Sequence, residues 1–385
     1  MLEKLYWFGS HILLNRDEGR RNLAKKAPKR LYLVPILSKA LDILELMQME
    51  KESISLEAIY QRTKVSKTTV YRILKTFVHR GYLAQTQDGH YRLVSRPRKI
   101  RFGFAGQSAE MPFSEAVTAS LKAAGAAAGV DLLVLDNKYD ADVALKNADE
   151  FVRQGVDLIV EFQTEQEVAP IIANKIAAAS IPMIALEMPH PHSTYYGVDN
   201  YRVGFEAGDV LAKFAIAEWK SQVDWVIGIE HHEAGPTVQS RITGAFEAVR
   251  NQLPDIPVEC FVRLDARGLR DKSYKLVFDF LRRHPRDKRI LVAATNDTVA
   301  LGALQAAREL KREMNLAIVG QDCIPEAMSE IEAPRSCFVG SISHEVEAYG
   351  PDLISLGLAI LRGQTVPPYN YASYRTVTQE SMVKA

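Results

Sequence analysis

Apolar residues recur at helical intervals through residues 36 to 80. Val70, Ile73, Leu74, Phe77 and Val78 fall at i, i+3, i+4, i+7 and i+8, which lays one continuous stripe along a helix. Ser66 stands where a hydroxyl caps the first turn, and Gly81 supplies the stop. An earlier helix is predicted from Leu37, Ala40, Leu41, Leu44 and Met47, with Ser38 near its start, and a short one from Leu56, Ile59 and Tyr60 after Ser55. The turn Thr63-Lys64-Val65 joins the second of these to the third at helix-turn-helix spacing. Segments 82–85 and 90–93 then flank Asp88-Gly89, a dipeptide favoured in hairpins. Three helices and a hairpin make a winged helix.

From Ile100 onward the pattern changes. Short apolar runs at 102–105, 132–135, 158–160, 183–186, 225–229, 290–294 and 317–320 alternate with helix-like stretches rich in Ala, Leu, Glu and Lys, such as 115–128 and 298–311. Such alternation predicts parallel sheets with helices on both faces, here in two successive sets, hence an α/β fold of two lobes. Ligands in such folds sit at the carboxyl ends of the strands. The loops there are polar in a consistent way: Gln107, Ser108, Pro112 and Phe113, then Glu187, then His231-His232-Glu233, Asn296-Asp297, Gln321-Asp322 and Ser341-Ile342-Ser343-His344. Amides, carboxylates and hydroxyls beside an aromatic plate suit a sugar-like ligand, whose hydroxyls need donors and acceptors and whose C–H face stacks. Asp297 reads as the cap of the helix that follows it.

Charge sharpens the division. The formal net charge of the 385 residues is +1. Residues 1 to 101 carry 21 Lys+Arg against 9 Asp+Glu, and the remainder carries 27 against 38. A basic module on an acidic body suits a local polyanion, with an attraction that falls steeply with salt. The candidate DNA contacts are Ser66, Lys67, Thr68, Thr69, Tyr71, Arg72 and Lys75 on the third helix, together with His90 and Arg92 on the wing. Residues 1–34 read as a basic N-terminal extension, since 5–14 resemble a signal core only briefly and lack a small-residue cleavage site. Three unpaired cysteines, Cys260, Cys323 and Cys337, fit a reducing cytoplasm, and no run is long and apolar enough for a bilayer. His190-Pro191-His192 and His231-His232-Glu233 lack metal-ligand spacing and read as solvated loops. No phosphate loop, dinucleotide fingerprint or nucleophile elbow follows any strand, so no cofactor, metal or enzymatic role is expected.

Two resemblances follow from these residues. Residues 36–93 resemble the DNA-binding domain of IclR-type transcriptional regulators, notably in Leu37-Ser38-Lys39-Ala40-Leu41-Asp42-Ile43-Leu44 and Lys67-Thr68-Thr69-Val70-Tyr71-Arg72-Ile73-Leu74. Residues 100 to about 378 resemble the type I periplasmic-binding-protein fold of ribose and galactose receptors, which is also the sensor half of LacI-type repressors. The carrying segments include Gly155-Val156-Asp157-Leu158-Ile159-Val160, Gly197-Val198-Asp199-Asn200 and Thr295-Asn296-Asp297-Thr298-Val299-Ala300.

The second resemblance implies ligand contacts at Phe113, Glu187, Arg241, Asn296, Asp322 and His344. Glu187-Met188 stands where ribose receptors have Asp-Arg, and His344 where they often have Gln, which disfavours ribose itself but not a sugar or polyol. The domains expected are a winged helix over 35–95, a linker over 96–99 and a ligand-binding domain over 100–385. Its first lobe would take about 100–198 and 345–368, its second 199–344 and 369–385. Together the resemblances imply a cytoplasmic transcriptional regulator, working as a homodimer, whose affinity for operator DNA is controlled by a small effector in the cleft. A transport receptor or a sugar-acting enzyme on the same lobes are the alternatives.

Overall fold

The computed structural model describes residues 34–50, 52–94 and 99–383. The basic extension over 1–34, apart from Val34, and the linker over 96–99, apart from Lys99, lie outside the described residues. The chain divides into two compact units, Met1–Arg98 and Lys99–Ala385.

The first unit holds α1 (Pro35–Met49), α2 (Leu56–Thr63), α3 (Lys67–His79) and the hairpin β1 (Leu83–Gln85) and β2 (Tyr91–Leu93). Ser55 caps α2 by accepting from the Ala58 N–H, and Ser66 caps α3 by accepting from the Thr69 N–H. Lys64, left-handed at φ 55°, turns the chain between them. Val70, Ile73 and Leu74 pack with Ile59, Leu83 and Tyr91 into one small core.

The first helix departs from its sequence reading. Met47 faces the core as expected, but beside it stands Ile43, which the stripe did not name, whereas Leu37 and Leu41 are 57% and 48% exposed. Since α1 is apolar around much of its girth, spacing alone could not say which face the core takes.

In the second unit, β3 (Arg101–Gly106), α4 (Pro112–Ala128), β4 (Asp131–Asp136), α5 (Ala141–Gln154), β5 (Leu158–Glu161), α6 (Ala169–Ala178), β6 (Met183–Leu186) and β7 (Thr194–Gly197) build the first lobe. The second lobe follows with α7 (Asn200–Trp219), β8 (Trp225–Glu230), α8 (Gly235–Gln252), β9 (Phe261–Asp265), α9 (Arg270–Arg283) and β10 (Ile290–Ala294). It continues through α10 (Asp297–Glu309), β11 (Leu316–Gln321), α11 (Pro325–Glu332) and β12 (Phe338–Ser343). The chain then returns as α12 (Val346–Leu361), β13 (Tyr369–Tyr371), β14 (Arg375–Thr378) and α13 (Gln379–Val383).

Two six-stranded sheets result, ordered β13-β7-β6-β5-β3-β4 and β14-β12-β11-β10-β8-β9. All pairings are parallel except that of β14 with β12. The central strands β5, β6, β10 and β11 are buried throughout, as their unbroken apolar runs require when helices cover both faces. The segments joining the lobes lie at Val198-Asp199, at His344-Glu345 and at 372–374.

The last of these corrects the expected lobe boundary at 369. Tyr369 pairs with Tyr195 of β7, so 369–371 belong to the first sheet. Pro367-Pro368 lead into this strand as an edge, where prolines are tolerated because no inner ladder bond is lost. No helix among the described residues is long and apolar enough to cross a membrane.

Candidate functional site

Loops from the carboxyl ends of both sheets meet around one cavity, and Phe113, Glu187, Arg241, Asn296, Asp322 and His344 all line it. Pro112 starts α4 and places Phe113 in its first turn, with its ring roughly perpendicular to those of Phe162, His344 and Tyr349. Glu187 directly follows β6 in a left-handed conformation, φ 62°, and accepts a bond from the Tyr349 hydroxyl at 2.5 Å. Burial pushes its carboxyl above the usual range, against the pull of Arg241 3.6 Å away.

Arg241 is the fixed cation of the cleft. Its Nε donates to Asn200 Oδ1 at 2.9 Å and one terminal nitrogen to the Thr295 carbonyl at 2.6 Å. Helix α8 approaches α7 closely here only because residue 204 is glycine: a Cβ there would lie 1.9 Å from the Arg241 carbonyl oxygen. Glycine at this contact sets the depth from which Arg241 reaches the hinge residue Asn200.

The capping role that the sequence reading gives Asp297 falls to Asn296, which also lines the cavity. Asn296 is the N-cap of α10, its Oδ1 accepting from the Val299 N–H at 2.9 Å, which leaves its NH2 for the cavity. Asp297 is fully buried and accepts from Ser341 Oγ and the Ile324 N–H, tying three loops together.

Asp322 sits at φ 101°, a strained backbone position for any residue with a side chain. Burial, with repulsion from Asp297, pushes its carboxyl well above the usual range. His344 completes the pair. Gln321 donates its amide N–H to the Val203 carbonyl, so its Oε1 accepts from His344 Nε2 at 3.1 Å. The Nδ1 of His344 is then bare and lies 3.5 Å from Asp322 Oδ1. A protonated Asp322 facing a neutral His344 satisfies this geometry, and burial drives both groups that way.

Two histidines expected to be solvated are buried instead. His190 bonds the Met188 carbonyl through Nδ1 at 2.9 Å and lies 3.1 Å from the Gln163 amide nitrogen, orienting that amide at the cavity wall. His231 lines the cavity itself. His192 and His232 are exposed, as read. Tyr139, Phe162, Gln163 and Thr295 also line the cavity without having been singled out. Each follows a strand's carboxyl end, which was the one signal that could have found them. Among the described residues no group of three or more His, Cys, Asp or Glu is placed to hold a metal ion.

In the first unit, Lys67, Thr68, Tyr71, Arg72 and Lys75 are exposed on α3. Lys67 pairs with Glu57 at 2.6 Å, and Lys75 donates to Gln85 at 3.3 Å. Arg72 carries no ion pair among the described residues. Ser66 and Thr69 are joined at the cap, their hydroxyls 2.8 Å apart. On the wing Arg92 is exposed, and half-buried His90 lies 2.8 Å from Asp88.

Known proteins place both units. Residues 102–365 match the model of the periplasmic binding protein domain, and residues 36–87 that of the IclR helix-turn-helix domain. The D-apiose import binding protein of Paraburkholderia graminis is 26% identical over 220 residues, covering 56% of this chain and 67% of that protein. A periplasmic solute binding protein from Actinobacillus succinogenes with bound D-allose superposes with a TM-score of 0.65 at 18% identity, covering 74% of this chain and all of the other. One from Bacillus halodurans with bound myo-inositol gives 0.63 at 15% identity, covering 74% and 96%. The chain therefore belongs to the periplasmic binding protein domain family and carries an IclR helix-turn-helix domain ahead of that domain.

Proposed function

We propose that the chain is a DNA-binding transcriptional regulator whose hold on an operator is set by a neutral sugar or polyol enclosed between the two lobes. One observation carries this reading: a helix-turn-helix with an exposed Lys67-Thr68-Tyr71-Arg72-Lys75 face shares a polypeptide with a cleft lined by Phe113, Glu187, Arg241, Asn296, Asp322 and His344. The relatives bind D-apiose, D-allose and myo-inositol, ligands of the class that such a cleft suits. Neutrality follows from charge. Among the described residues Arg241 is the one Lys or Arg lining the cavity, and it is already engaged by Glu187, Asn200 and Thr295, so no uncommitted cation there favours an anionic group.

The exposed strip of Val34, ahead of α1, with Leu37 and Leu41 on it supports a homodimer, since apolar area of this kind is stabilised by covering it with a second copy. Two recognition helices in a dimer would read half-sites about one DNA turn apart. Ligand-driven closure at the three connecting segments would re-aim them. A coupling of about 1–3 kcal/mol gives a five- to hundredfold change in operator affinity. A protein that binds an operator would act in the cytoplasm, and this role would need no catalytic step.

The test has two arms. In a thermal-shift screen, D-apiose, D-allose, D-arabinose or myo-inositol should raise the melting temperature, because a ligand that binds only the native state stabilises it. In anisotropy titrations with a duplex selected from a random library, Arg72→Ala with Lys75→Ala should weaken binding by about tenfold or more, each lost base or phosphate contact counting about 1–3 kcal/mol. The same variant should keep its sugar affinity. Unchanged duplex affinity would remove α3 from the interface.

A further inference from the structure

His231 enters the second lobe's rim directly after β8 and is only 5% exposed. Its Nδ1 lies 3.4 Å from the Tyr139 hydroxyl, and its Nε2 is buried with no partner among the described residues. Tyr139 comes from the other lobe, from the loop after β4, with its backbone in the left-handed region at φ 56°.

The hydroxyl has a single proton, and its best acceptor is already present. The Arg267 carbonyl oxygen lies 2.8 Å away and can only accept, so the phenol donates there. The phenolic oxygen is thereby left as an acceptor towards His231, and Nδ1 must carry the imidazole proton. A neutral imidazole protonated at Nδ1 presents a bare lone pair at Nε2. Burial holds the ring neutral, its protonation pushed down to about 4. A buried acceptor without a donor is costly, and beside a cavity it is the mark of a site awaiting one.

We infer that His231 reads one hydroxyl of the ligand as a hydrogen-bond donor, and that Tyr139, reaching across from the opposite lobe, fixes the imidazole in the state that can do so. The inference rests on the proposed sugar-binding reading and adds to it a residue, a direction of hydrogen bonding and a link to closure.

That link is geometric. Tyr139 belongs to the first lobe, while His231 and Arg267 belong to the second. Gly268 makes the approach possible, for a Cβ there would stand 2.5 Å from the Tyr139 oxygen. The same rim is held by the Gln166 N–H donating to the Glu233 carbonyl at 2.9 Å, and by Arg267 paired with Glu165 and Glu233. When the lobes part, Tyr139 leaves and nothing sets the tautomer. A hydroxyl-bearing ligand is therefore rewarded at Nε2 only in the closed form. A deoxy or O-methyl analogue, which cannot donate there, leaves the acceptor unpaired as the cleft shuts.

The test is a calorimetric titration of the full chain with D-apiose, D-allose, D-arabinose and myo-inositol, followed by the monodeoxy derivatives of whichever binds. Wild type should lose tenfold or more for one derivative. His231→Phe should bind the parent sugar about tenfold more weakly and bind that derivative no worse than the parent. His231→Gln, whose carboxamide oxygen can accept, should recover part of the discrimination and so separates loss of the acceptor from loss of folding. Tyr139→Phe keeps the ring, loses only the hydroxyl, and should shrink the discrimination severalfold.

Equal discrimination in wild type and His231→Phe would overturn the assignment of His231 while leaving the sugar reading intact. Full discrimination in Tyr139→Phe would overturn the cross-lobe control. No binding of any probe to wild type would remove the sugar reading itself, and this inference with it.

Discussion

Arg241→Met is expected to lower sugar affinity at least a hundredfold and to drop the melting temperature of the ligand-binding unit by about 10 °C. Its guanidinium bonds Asn200 and the Thr295 carbonyl and faces Glu187, all buried. Removing one partner of a buried pair costs about 3–5 kcal/mol, because the other charge is left uncompensated. At about 2–4 °C per kcal/mol for a unit of this size, the thermal loss follows. The affinity loss follows from the bonds a charged donor makes to ligand hydroxyls, each contributing about 1.5–3 kcal/mol. Adding Glu187→Gln to Arg241→Met separates the two effects. The double variant should recover most of the melting temperature, since no buried charge then lacks its partner, yet stay weak for sugar. A single variant that melts and binds like wild type, by differential scanning calorimetry and titration, would refute Arg241 as the anchor of the cleft.

The fold was legible in the sequence because it is written in local repeats. Strand-helix alternation after Ile100 and the three helices with Asp88-Gly89 need no distant partner to be recognised. The departures share one feature: each depends on residues far away in the chain. His231 is buried by Tyr139, 92 positions earlier, and His190 is held against Gln163, 27 positions earlier. Asp297 is kept as a buried acceptor by Ser341 and Ile324, so the capping task falls to Asn296 although both residue types cap well. Leu37 and Leu41 share a helical face with Val34, but the core selects Ile43 from the other side, beside the Met47 that the stripe did name.

Of the cavity-lining positions, the six implied by family resemblance are present, Tyr139 and Gln163 were passed over, and His231 was noted in a polar strand-end loop but read as solvated. Nothing in Asn137-Lys138-Tyr139 announces that its phenol will bridge two lobes. That fact lives in the approach of Gly268 and in the left-handed turn at Lys138 and Tyr139.

A buried acid outside the cleft gives the second large effect: the stability lead of Glu161→Gln over wild type should grow as pH rises from 5 to 8. Glu161 ends β5, immediately before Phe162 and Gln163 of the cavity wall, and is fully buried. Asn137 donates to one oxygen at 2.8 Å, and the other has no partner among the described residues. Burial pushes the carboxyl up to about 8, with only the Asn137 bond pulling it down. In the unfolded chain the group titrates near the ordinary value, so between about pH 5 and 8 the folded state binds more protons than the unfolded one. Stability present below the unfolded value is therefore lost as pH climbs through the folded one, at about 1.4 kcal/mol per pH unit. Glutamine keeps the bond from Asn137 and has no proton to lose. The difference in melting temperature between variant and wild type should widen by about 3 °C per pH unit, the other titrating groups cancelling in the comparison. Parallel melting curves across that range would mean that Glu161 stays ionised in the folded protein, compensated by a group on the far side of its unpartnered oxygen.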